Sequence, residues 1–122
     1  MKTFLTFTES DLRSTLENGE LPDSIRNAGP HVVVIWTQDW CPQWADLQSW
    51  VLEETNHAPV YLLVYNLHPW FHELMHFKEE VWGNRQIPYV RHYYQGILGS
   101  EHNWLPRQTF REQLKRLAET KA

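Results

Sequence analysis

Apolar positions in this chain follow two patterns. Val32-Val33-Val34-Ile35-Trp36 and Val60 to Val64 are continuous apolar runs. Their length and β-branched content predict central strands buried on both faces. Elsewhere the apolar residues recur at steps of three and four: Leu12 and Leu16; Trp44, Leu47 and Val51; Phe110, Leu114, Leu117 and Ala118. That spacing predicts amphipathic helices that each turn one face inward.

Punctuation residues set the boundaries. A first strand is expected over Lys2 to Phe7, followed by a helix. Thr8 and Asp11 have the spacing of a reciprocal N-cap pair, with Phe7 and Leu12 placed to staple it. Asn18-Gly19 ends that helix, because Gly accepts the left-handed backbone of a C-terminal cap. Pro42 opens a second helix at the first position, where no N–H is needed. Pro69 opens a third, expected to run to about Trp82 before Gly83. Tyr89 to Tyr94 and Ile97 to Asn103 flank Gln95-Gly96 and predict a hairpin. Pro106 opens the last helix. The order β-α-β-α-β-α-β-β-α predicts an α/β fold: a three-layer α/β/α sandwich around a mixed central sheet.

Composition narrows the function classes. The 122 residues fit a single domain over 1–122. Lys and Arg are scattered and the net charge is -4, so the basic patch of a nucleic-acid binder is missing. No apolar run approaches the ~20 residues of a membrane span. The start, Met1 to Arg13, lacks the apolar stretch of a secretory signal. The expected setting is soluble and cytoplasmic, with no nucleic acid and no membrane among the partners. Aromatics reach 14% with seven Trp; they serve a small core or a partner surface.

Cys41 is the only cysteine, so any disulfide must be made with another molecule. It sits where a buried strand ends and a helix begins. The first N–H groups of a helix have no partner within it and favour an anion, such as a thiolate. The alternative is a small buried hydrophobe, as free cysteines often are. Position favours the reactive reading.

The segment Trp36, Trp40-Cys41-Pro42-Gln43-Trp44, then Val81-Trp82-Gly83-Asn84-Arg85-Gln86-Ile87-Pro88-Tyr89, then Gln95-Gly96 and an amphipathic last helix resembles the thioredoxin-like fold family. Members carry Trp-Cys-x-x-Cys at a helix start and, much later, an Ile-Pro whose proline is cis and lies beside the thiol. The resemblance covers nearly the whole chain in the same element order. It implies a thioredoxin-like fold, Cys41 as the catalytic residue, and a substrate groove formed by Trp40, Pro42, Gln43, Trp44, Ile87, Pro88 and Tyr89.

Two departures matter. Trp44 stands where the family has its second cysteine, the thiol that resolves a mixed disulfide. Trp44 either shields the sulfur or offers a stacking surface. The preceding strand also lacks the buried acid many members keep, and Asp39 reads as a turn residue. Two functions fit. One is a monothiol redox protein in cell redox homeostasis, which forms mixed disulfides with a client protein or a small thiol such as glutathione. The other is a non-catalytic module, chaperone-like, that binds a peptide or protein. Neither calls for a cofactor.

The third helix contains His72-Glu73-Leu74-Met75-His76. This matches the H-E-x-x-H zinc-peptidase pattern, and Glu80 is expected to continue the same face. A catalytic zinc needs a third ligand from a separate element and a cleft. The reading is therefore a solvated His/Glu face with no metal, not a peptidase.

Overall fold

In the computed structural model, which describes residues 2–121 without the side chains of Thr120 and Lys121, the two apolar runs form neighbouring strands of a four-stranded sheet. Met1 and Ala122, the ends of the expected domain, lie outside the described residues. The elements are α1 (Glu9–Asn18), α2 (Asp23–Arg26), β1 (His31–Thr37), α3 (Pro42–Glu54), β2 (Val60–Val64), α4 (Phe71–His76), β3 (Tyr89–Tyr94), β4 (Ile97–His102) and α5 (Arg107–Lys121). The sheet order is β2-β1-β3-β4. β1 pairs parallel with β2 and antiparallel with β3, and β4 returns antiparallel along β3. The fold is mixed α/β, with helices on both faces of the sheet.

The alternation along β1 separates the two cores. Val32, Val34 and Trp36 pack with Leu12 of α1, Ile25 of α2, Leu74 of α4 and Phe77. Val33 and Ile35 pack with Trp44, Leu47 and Val51 of α3 and Phe110 of α5. Cys41 belongs to the second cluster. Of the inward residues expected on α5, Phe110 is buried, Leu114 and Leu117 are half-buried and Ala118 is exposed.

Helix caps form as the sequence reads. Asp11 N–H donates to Thr8 Oγ1 at 3.0 Å and Thr8 N–H to Asp11 Oδ2 at 2.9 Å. Gly19 follows at φ 81°.

Two expectations are corrected, and one short helix was not foreseen. The first strand reduces to a single parallel bridge, Leu5 with Tyr61. Leu5 N–H donates to Val60 O and Leu62 N–H to Leu5 O, both at 2.8 Å, and shortly afterwards the chain turns into the cap at Thr8. The short α2 carries too few residues to show a period; Ile25 anchors it in the core. The third helix is not continuous. α4 starts at Phe71 rather than Pro69, and Phe77–Val81 follows as a π-helical turn. That wider turn closes with Trp82 N–H on Phe77 O at 3.2 Å. It lets the consecutive residues Phe77 and Lys78 both face inward.

Candidate functional site

The site is built where three chain segments meet at the C-terminal end of β1. Cys41 is the N-cap of α3, in extended conformation, with Pro42 in the first turn. Pro42 has no N–H, so the unpaired donors of that turn are the amides of Gln43 and Trp44. The thiol donates to Ile87 O across 3.8 Å. The Ile87–Pro88 peptide is cis. A groove of about 490 Å³ runs over the sulfur, lined by Trp40, Cys41, Pro42, Gln43, Arg85, Gln86 and Ile87.

Five of the residues expected at the groove therefore gather around it: Trp40, Cys41, Pro42, Gln43 and Ile87. Trp44 does not. It is 4% exposed and packs inward on Phe4, ring centroids 5.7 Å apart, in the buried cluster that also holds Cys41, so it offers no stacking face. Pro88 is buried behind Ile87. Tyr89 points to the opposite face of the sheet, where its hydroxyl donates to Glu101 Oε1 at 2.5 Å. Successive strand residues alternate between faces, so Tyr89 cannot share a face with Val90, which joins the Cys41 cluster.

Side-chain amides hold the groove's two walls. Trp40 is 66% exposed, and its indole N–H donates to Gln38 Oε1 at 2.7 Å, while Gln38 donates to Tyr65 OH at 3.1 Å. Asp39 and Asn66 pair reciprocally: Asp39 N–H donates to Asn66 Oδ1 at 3.0 Å and Asn66 Nδ2 to Asp39 Oδ1 at 2.7 Å. Asp39 is thus an exposed turn residue that pins the loop. Next to Asn66 in the chain, Leu67 is exposed. On the other wall Asn103 Nδ2 donates to Pro88 O and to Asn84 Oδ1, each at 3.0 Å. Asn84 Nδ2 donates back to Asn103 Oδ1 at 2.9 Å, and Gln86 N–H donates to Asn84 Oδ1 at 3.1 Å. Arg85 at the rim pairs with Glu79 and Glu80.

Sequence reading missed Asn84, Asn103 and Arg85. It also missed a charged network on the far face. Arg91 is buried; it donates to Tyr93 OH at 2.7 Å, Tyr89 OH at 2.8 Å and Glu20 Oε2 at 2.8 Å and lies 4.1 Å over the Trp82 ring. Nearby Lys78, fully buried, donates to Asn84 O at 2.8 Å; burial pulls its amine down to about 8. The available signal was Arg91-His92 inside a predicted strand.

His72, Glu73, His76 and Glu80 are exposed. The π-helical turn takes Glu80 off the His72/His76 line, where it pairs with Arg85. Among the described residues no group of three or more His, Cys, Asp or Glu is placed to hold a metal ion.

Solved structures match this architecture over most of the chain. Thioredoxin O2 from Arabidopsis thaliana, in the oxidized state, superposes with TM-score 0.63 at 15% identity over 93% of each chain. The chain has a thioredoxin-like fold. A mutant thioredoxin from Halobacterium salinarum NRC-1 matches with TM-score 0.61 at 15% identity, over 78% of this chain and 80% of its own. A buckwheat glutaredoxin–glutathione complex matches with TM-score 0.55 at 14% identity, over 91% and 93%. No protein-family model matches the sequence, and no curated protein matches it significantly. At these identities the likeness concerns the fold. Among the described residues no helix is long and apolar enough to cross a membrane.

Proposed function

We propose that the chain is a monothiol redox protein acting through Cys41. The observation that carries this reading is the sulfur's place at the floor of the groove, at the start of α3 and against Ile87 O. The reacting form of the sulfur is the thiolate. The thiolate attacks one sulfur of a disulfide R–S–S–R. The Cys41–S–S–R bond forms as the old S–S bond breaks, and RS⁻ departs and takes up a proton. Trp44 cannot resolve this product, so a second thiol from another molecule must. Its thiolate attacks the R sulfur, leaves as R–S–S–R′ and returns Cys41 as thiolate. Glutathione or a client protein fits either role. The 490 Å³ groove accepts an extended peptide, and the exposed Trp40 supplies an aromatic anchor.

A second reading is a binding module that keeps the groove and does no chemistry. The 6% exposure of Cys41 beside a largely exposed Trp40 favours it. Intact mass after exposure to oxidised glutathione separates the two. One glutathione adduct, absent from Cys41→Ser, is expected. No adduct overturns the redox reading. Client capture that survives Cys41→Ser unchanged then supports binding.

A further inference from the structure

Three histidines that the thiol chemistry does not use lie in a line between the sheet and α5. His31 Nε2 is 3.1 Å from His92 Nδ1, and His92 Nε2 is 2.8 Å from His102 Nε2. His102 Nδ1 lies 2.7 Å from Asn103 O. That carbonyl only accepts, so it fixes every proton in the line. His102 carries its proton on Nδ1 and accepts at Nε2. His92 therefore donates from Nε2 and accepts at Nδ1, and His31 donates from Nε2. The nitrogens are strung end to end, not aimed at one point, so the arrangement is a hydrogen-bonded line and not a metal cage.

This line is neutral, and its surroundings keep it so. Phe110 of α5 covers both His92, at 5.7 Å, and His102, at 5.5 Å. Tyr94 stacks on His31 at 4.4 Å. The charged group acting on His31 is Lys2, a cation that adds to the effect of burial; together they pull this imidazole down to about 4. His92 is pushed well below 6.5 by burial and by its two histidine neighbours. Burial also lowers His102, against the opposing pull of Asn103 O. Ser100, opposite His92 on β4, is held by Gln113 of α5 at 2.9 Å.

The line leads to the groove. Residue Asn103, whose carbonyl anchors His102, is the same residue whose side chain holds Pro88 O and Asn84 behind Ile87. β4 is an edge strand with one neighbour, and it brings His102 beside His92 under Phe110 of α5. Moving β4 and α5 away from β3 parts His102 from His92 and uncovers both.

We propose that His31, His92 and His102 form an acid-operated latch: proton uptake lifts β4 and α5 from the sheet, and Asn103 then releases the Ile87 wall of the Cys41 groove. The consequence for function rests on the groove being the working site; the opening itself does not. Each histidine that titrates normally when exposed and stays neutral when packed raises the open fraction on the order of 25-fold between pH 7 and pH 5.

Amide hydrogen exchange by NMR on the full chain tests this, with rates normalised for the intrinsic effect of pH, in both the native chain and Cys41→Ser. Using the serine chain keeps the readout independent of thiol chemistry. At pH 5, the β4 and α5 amides and the Gln86 N–H are expected to have lost protection since pH 7 and to exchange at least about tenfold faster than Val34 in β1, which opens only with the whole molecule. His102→Gln, which removes a titrating group at the half-buried end of the line, is expected to reduce that pH effect. Equal exchange rates in β1 and β4 at pH 5 mean that β4 opens only by global unfolding and overturn the proposal. Protection of Gln86 that persists while β4 opens also overturns it. Imidazole ¹⁵N spectra of the native chain at pH 7 give a check without any variant: a proton on Nε2 of His102 overturns the line itself.

Discussion

Cys41 and Trp44 show how far a motif extends at the scale of one residue. The strand-end, helix-start position of Cys41 follows from the sequence because β1 and Pro42 bracket it. The direction of Trp44 stays open between two readings, because its spacing with Leu47 and Val51 turns it inward while its place in the motif turns it toward the groove; a packing partner beneath it decides. Phe4, far earlier in the chain, supplies that partner. Arg91 makes the same point with charge. Its guanidinium leaves water only because Tyr89, Tyr93, Glu20 and Trp82 arrive from three separate segments. Removing one partner leaves a buried charge short of a hydrogen bond. Glu20→Ala is therefore expected to cost about 2 kcal/mol, below the fully buried case because Glu20 is 35% exposed. Urea unfolding at pH 7 measures it, and a change under about 0.5 kcal/mol would show that the network carries little stability.

Among the elements, caps and turns were the most legible, because their chemistry is local. Thr8 and Asp11 close their box within one helical turn, and Gly19 accepts φ 81° with open space around it. Thr8→Ala is expected to cost about 1 kcal/mol, read from the denaturation midpoint. Gly19→Ala costs about 1 kcal/mol from backbone strain alone. Gly96→Ala is expected to exceed it: the φ is 80°, and a Cβ would collide with the Asn27 side-chain oxygen. If the two glycine variants melt together, the Asn27 contact yields without cost. The π-helical turn after α4 was not legible. Its extra residue follows from Lys78 reaching Asn84 O at 2.8 Å and from Trp82 reaching Gly19 O at 3.0 Å, contacts made outside the helix. That turn also removes Glu80 from the His72/His76 face, so the local H-E-x-x-H match loses its third member to tertiary packing.

Across the whole molecule, two sets of groups set the response to acid, with separate windows. The histidine line is held neutral in the folded chain. Above pH 6.5 both folded and unfolded states are neutral there and nothing is lost. As pH falls from 6.5 toward about 4, the unfolded chain takes up protons that the folded one refuses, so stability drops. Glu54 acts lower. Hydrogen bonds from Arg111 and Arg107 pull its carboxyl down from 4.5 to about 2, so its contribution is present above pH 4.5 and fades toward pH 2. Urea midpoints against pH are expected to fall in two stages. Arg111→Ala should diminish only the lower stage, and a single fall below about pH 4 would show that the histidines do not contribute.

The sequence by itself determined the central strands, the caps, the hairpin and the position of Cys41 at a helix start. Those depend on periodicity and on short-range backbone chemistry, which neighbours along the chain carry. Tertiary structure alone decided which residues face the thiol. It settled Trp44 on the inward face that its helical spacing also allowed, turned Tyr89 away, brought Arg85 to the rim, and placed Asn84 and Asn103 behind Ile87. It also lined up His31, His92 and His102. The physical reason is common to all of these. A polar or aromatic side chain goes where its partner is, and the deciding partners here, Phe4 for Trp44, Asn103 for Asn84 and His92 for His31, come from segments that only the folded sheet brings near.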